Sequence, residues 1–188
     1  MKKIINFLRR TLLFSLTITA GLNIATANEN VAVNTKNADK EAHKNIQFLL
    51  GNVLQKSKKL QEDFGDFSPY GAALFIDGSV KYVWYARPGE TVNNPTQSLT
   101  LIREALQTQA QSGKIIGSAI IYKFKKQGQD QVQLTVELEY QSGLALAFST
   151  EMKIDSNSSI DWGNNSKVNF EPRIFVPQTT EDKSKQTN

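Results

Sequence analysis

The sequence predicts an α+β domain of element order α-β-β-α-β-β-β, with a five-stranded, mainly antiparallel sheet and two helices packed on one face. Three observations lead there. Two segments carry apolar residues at helical spacing, several others alternate apolar and polar residues, and short glycine turns join neighbouring segments.

The first helix follows a polar stretch. Ile46, Leu49, Leu50, Val53, Leu54 and Leu60 make a single apolar stripe, with lysines and glutamines on the other side; Asp39 suits its first turn and Gly65 its end. Phe67-Ser68-Pro69-Tyr70-Gly71 then leads into residues 72–76, a dense apolar run suited to a strand covered on both faces. Asp77-Gly78 signals a two-residue hairpin turn of type I′. In the return strand, 79–86, Val80, Tyr82 and Trp84 share one face, and Lys81, Val83 and Tyr85 the other.

The second helix opens with Asn94 as cap, Pro95 at the first helical position and Gln97 where a capping box wants Glu or Gln. Leu99, Ile102, Ala105, Leu106 and Ala110 form its stripe, and Gly113 closes it. Residues 115–124 are apolar on both faces, which predicts the sheet centre. Residues 131–140 alternate: Val132, Leu134, Val136, Leu138 and Tyr140 face in, while Gln131, Gln133, Thr135, Glu137 and Glu139 face water. Ser142-Gly143 turns the chain into 144–154, which alternates again. Residues 155–169 are rich in Asn and Ser and read as loop. Phe170 and Ile174-Phe175-Val176 are apolar enough to dock, with an added edge strand one way of doing so.

The element order resembles the roadblock/profilin-like architecture. With the F-x-P-x-G-A start of the sheet (Phe67 to Ala72) and the Asp77-Gly78 hairpin, residues 40–154 also resemble an uncharacterised family of small secreted bacterial domains. That resemblance implies a fold and brings no catalytic residues.

The N-terminus reads as an address. Lys2, Lys3, Arg9 and Arg10 precede a mainly apolar run at 11–22. Ala25 and Ala27 then supply the small residues of a signal-peptidase site, so that the mature chain starts at Asn28. The run is too short to span a bilayer core of roughly 30 Å as a helix. The expected organisation is a signal peptide at 1–27, a flexible leader at 28–37, one α+β domain at 38–154, a loop and docked segment at 155–177, and a disordered tail at 178–188. The expected location is periplasmic or secreted, in a bacterium.

Composition narrows the function. The formal charge is +4, from 22 basic and 18 acidic residues. Four basic residues and no acidic ones lie in 1–27, so cleavage leaves eighteen of each sign and a pI of 9.2 belongs to the precursor alone. A neutral mature domain lacks the basic footprint that nucleic acid or anionic lipid requires. With no cysteine there is no disulfide, thiol nucleophile, Cys-ligated metal or lipidated N-terminal Cys, hence no stable membrane anchor after cleavage.

The sequence carries no pattern that assigns a catalytic residue, a metal site or a cofactor. His43, the single histidine, sits among charges near the polar start of the first helix and reads as a surface residue. Glu137 and Glu139 share a strand face about 7 Å apart, but on a face read as hydrated, where neither carboxyl would be tuned for acid–base work. Asp63 and Asp66 around Gly65 are too few oxygens for calcium. Gly113-Lys114-Ile115-Ile116-Gly117-Ser118 precedes a strand, whereas a phosphate loop must open a helix. The best binding candidates are Tyr82, Trp84, Tyr85 and Arg87, aromatics beside a cation at a strand end; the competing reading has Tyr82 and Trp84 capping the core under a helix. The expectation is thus a non-enzymatic exported domain that binds a protein partner or itself. The alternative is a small-ligand domain with a pocket between the sheet and the second helix.

Overall fold

The computed structural model describes the backbone of residues 24–176 other than 91, 126, 127, 129 and 130, and side chains from Lys36 onward. The apolar signal run and the tail at 178–188 lie outside the described residues. Two compact units divide between Thr35 and Lys36. Helix α1 spans Ile24–Phe64, so the segment 28–37, expected as a flexible leader, is helical backbone. The packing that follows is that of the second unit.

After α1 come β1 (Tyr70–Phe75), β2 (Val80–Trp84), α2 (Pro95–Gln111), β3 (Ile115–Lys125), β4 (Val132–Tyr140), β5 (Ala145–Ile154) and β6 (Ile160–Asn169). The fold is α+β with two helices and an antiparallel sheet, but the strands number six. They run in the order β2-β1-β3-β4-β5-β6, every neighbouring pair antiparallel. The doubly apolar β3 is interior, paired with β1 and β4.

The extra strand, β6, occupies the stretch read as loop. Ile160 is its one buried residue. An edge strand pairs through its backbone, so it needs no alternating pattern on its side chains. Its turn was hidden for a related reason. Three hairpin turns share one hydrogen-bond scheme: Phe75 N donates to Ser79 O, Tyr140 N to Leu144 O and Asp155 N to Ser159 O, with Gly78, Gly143 and Ser158 in the left-handed region. This is the three-residue turn with one αL residue, so the type I′ turn expected at Asp77-Gly78 is replaced by a form in which Gly78 alone has positive φ. At the third turn a serine takes the glycine's place, steadied by Asp155 Oδ1 accepting from Asn157 N and Ser159 N.

The helices lie on opposite faces of the sheet, which corrects the one-face arrangement. Ala42, Ile46, Leu49, Val53 and Leu60 of α1 pack with Tyr70, Ala72, Leu74, Ile121, Leu134, Val136 and Leu138. Ile102 and Leu106 of α2 pack with Ala73, Ile115, Ile120 and Ile174. Successive strand residues point to opposite faces, so β1 and β3, apolar on both sides, need a helix on each. Gly71 marks where α2 presses closest, since a Cβ there would lie 2.7 Å from Ile102 Cγ2. The punctuation of α2 follows its sequence: Asn94 Oδ1 accepts from Gln97 N at 3.0 Å. At the other end Lys114 N bonds Gln109 O and Gly113 N bonds Ala110 O, the paired bonds of a Schellman stop.

Candidate functional site

The aromatic strand is divided by its own alternation. Tyr82 and Trp84 face α1, where Trp84 stacks on the buried Tyr70 with centroids 4.8 Å apart and Lys56 Nζ lies over the Tyr82 and Trp84 rings. Tyr70 is itself pinned: its hydroxyl donates to Val53 O at 2.9 Å and pairs with Ser57 Oγ at 2.8 Å. Burial holds that phenol well above its ordinary pKa. Tyr82 and Trp84 therefore close the edge of the α1 core. Tyr85 and Arg87 are exposed beyond the strand. The four candidates do not converge, and the pocket expected between the sheet and α2 is not lined by Tyr82 and Trp84, because they are on the other face.

The carboxylates of β4 are also placed differently from expectation. Glu139 is 2% exposed and Glu137 partly buried, because α2 and the segment after β6 cover the face read as hydrated. Glu139 accepts the backbone N–H groups of Arg173, Ile174 and Phe175 at 2.9, 2.7 and 3.2 Å, anchoring the C-terminal segment while Ile174 fills the α2 core. Glu137 takes Arg103 Nη2 at 2.9 Å and the Tyr122 hydroxyl at 3.1 Å. The Tyr122 phenol is pushed up to about 12, by burial first and then by the Glu137 charge. Both carboxylates hold structure. His43 is exposed, its Nδ1 2.8 Å from Asp39 O.

A different cluster forms where α1 ends. Gly65, at positive φ, stops the helix, with its N–H on Gln61 O and its carbonyl accepting from Gln61 Nε2. The chain turns there, and Asp66 reaches Lys123 of β3 in an ion pair while its Oδ1 accepts Phe67 N. Lys123 lies on the α1 face with Ile121, its ammonium 4.3 Å from the Phe67 ring centroid. Desolvation by burial lowers its pKa from 10.5 to about 8.

These groups line a cavity of ≈ 320 Å³, at the lower end of the roughly 300–1,000 Å³ typical of small-molecule sites. Its polar lining is Gln61, Asp66, Lys123 and Lys125; Phe124, Val132 and Ile154 supply the apolar part. Gln61 is 3% exposed, yet its Oε1 is buried with no hydrogen-bond partner among the described residues.

Both central residues had a signal in the sequence. Gln61 continues the apolar stripe of α1 through Val53 and Ser57 at four-residue steps, and Lys123 continues Ala119 and Ile121 at two-residue steps. A polar residue on an inward register position is the cue. What the spacing does not disclose is that the two positions meet.

Comparison with protein-family models, with curated proteins and with solved structures returns no match for the chain. Among the described residues, no helix is long and apolar enough to cross a membrane, and no group of three or more metal-ligating side chains occurs.

Proposed function

We propose that the domain is a non-enzymatic binding module whose cavity between the end of α1 and strands β3–β5 takes a small amphiphilic anion. The observation that carries the reading is a largely buried lysine, paired with an exposed carboxylate, lining one cavity beside apolar side chains. Lys123 brings its ammonium to the lining, a cation suited to an anionic group. Phe124 and Ile154 are 39% and 46% exposed at the same cavity, apolar surface that a ligand's carbon chain would cover.

Calorimetry with hexanoate and hexanol tests it. Hexanoate should bind, hexanol should bind more weakly, and Lys123→Met should lose about ten- to a hundredfold in hexanoate affinity, the weight of a charge-assisted hydrogen bond. No hexanoate binding, or equal binding by Lys123→Met, overturns the reading.

A protein-partner reading draws support from the exposed Tyr85 and Arg87 beside edge strand β2, and from β6, which ends the sheet among the described residues and is 10 residues long. Sedimentation tests its self-associating form, and a strictly monomeric protein at high concentration counts against it. Export remains part of the proposal, supported by the N-terminal signal pattern. N-terminal sequencing of the mature protein should begin at Asn28, and a chain still starting at Met1 would overturn it.

A further inference from the structure

We infer that Lys123 is a covalent carbonyl site, its amine condensing with a small apolar aldehyde seated in the cavity at the end of α1. This goes beyond anion binding, because it uses the amine of Lys123 rather than its ammonium. Three features of the geometry lead there. The Lys123 side chain is 19% exposed and meets Asp66, which is 76% exposed and lines the same cavity, so its nitrogen stands at the boundary between protein and open space. The Phe67 ring covers that nitrogen on one side, with the centroid 4.3 Å from Nζ. Val132 and Ile154 add carbon surface to the lining, and the volume of ≈ 320 Å³ has room for a short alkyl chain.

Those surroundings decide which form of the nitrogen is present. Asp66 favours the ammonium, but it is largely solvated and water weakens the pair. Burial acts the other way and prevails, lowering the pKa from 10.5 to about 8. At about pH 7.5 roughly a quarter of the chains then carry a free amine there, against about one in a thousand for an ordinary lysine. A desolvated lysine is an activated nucleophile toward carbonyl carbon. The condensation balances without a co-reactant. The nitrogen lone pair attacks the carbonyl carbon, and a proton passes from nitrogen to oxygen to give a carbinolamine. Its hydroxyl leaves with the remaining N–H proton as water, and the C=N bond of an imine forms. An acyl donor would in addition need a leaving group expelled from a tetrahedral oxyanion; an aldehyde sheds only water.

Reductive trapping on the full-length mature protein tests it. Hexanal with cyanoborohydride at about pH 7.5 fixes each imine as a secondary amine, and peptide mass spectrometry reads its position. Lys123 should gain a hexyl group about tenfold faster than the exposed Lys58 and Lys59, the roughly two-hundredfold gain in free amine being partly offset by the lower nucleophilicity of a less basic nitrogen. Its rate should saturate with hexanal, as a ligand seated before reaction requires, and the preference should vanish in denaturant, where the burial is lost. Labelling of Lys123 no faster than of Lys58 and Lys59, a rate linear in hexanal throughout, or a preference that survives denaturant overturns the inference and leaves the anion pocket standing. Fast, saturable labelling of a protein that does not bind hexanoate upholds the inference and overturns the anion reading.

Discussion

Glu139 and Lys123 are both ionic groups held largely out of water, on opposite faces of the same sheet, and the two faces treat them differently. Around Glu139 the chain closes completely. Three backbone N–H groups converge on its carboxylate, and the residue between two of them, Ile174, is buried 2% exposed beside it. Among the described residues, Lys123 has the exposed Asp66 as its counter-ion, an aromatic face and an open cavity. A buried charge whose hydrogen bonds are all made within the chain is a structural clasp. One whose surroundings are left incomplete is where a ligand can be accommodated.

The largest effect should come from breaking the clasp. Glu139→Gln keeps the shape but turns an amide NH₂ toward backbone donors, and should destabilise the domain by about 2–4 kcal/mol. Hydrogen exchange should show Arg173, Ile174 and Phe175 losing protection first. Retained protection there would mean that apolar packing of Ile174, rather than Glu139, holds the segment.

Lys123→Met should act in the other direction. Below pH 8 the lysine is charged both folded and unfolded, so the folded state bears the desolvation penalty. Between about 8 and its ordinary 10.5 the folded state has released the proton while the unfolded state keeps it, and wild-type stability therefore rises with pH. The variant should be more stable than wild type by about 1–3 kcal/mol at pH 7, with the difference disappearing above roughly pH 10. Chemical denaturation across that range checks it, and a destabilised variant at pH 7 would show that the Asp66 pair and the Phe67 contact outweigh desolvation.

The smallest effect sharpens the same contrast. Asp66→Asn removes an exposed carboxylate from the cavity mouth, and should strengthen anion binding about two- to fivefold while changing stability little. Weaker binding would assign Asp66 a role in positioning Lys123. Anion affinity should also fall as pH rises through about 8, where Lys123 loses its charge.

Much of this was readable from local pattern. The α1 stripe, the Asn94-Pro95 entry and Gly113 exit of α2, and the inward faces of β2 and β4 follow from periods of 3.6 and 2 and from capping chemistry. Strand β6 was not legible, because Ser158 stands where the other two turns carry glycine and an edge strand needs no apolar alternation. Glu137 and Glu139 looked solvated because alternation tells which side of a strand a residue faces but not what covers that side.

The sequence by itself determined which residues point together within each element, where most elements begin and end, and the chemistries that a cysteine-free chain with one histidine excludes. Only the tertiary structure decided that α1 and α2 take opposite faces, that residues 173–175 come back to Glu139, and that Gln61 and Lys123, 62 positions apart, line one cavity. The physical reason is range. Periodicity and caps are set by steric and hydrogen-bonding terms a few residues long, whereas burial of a charge depends on segments brought together from far along the chain.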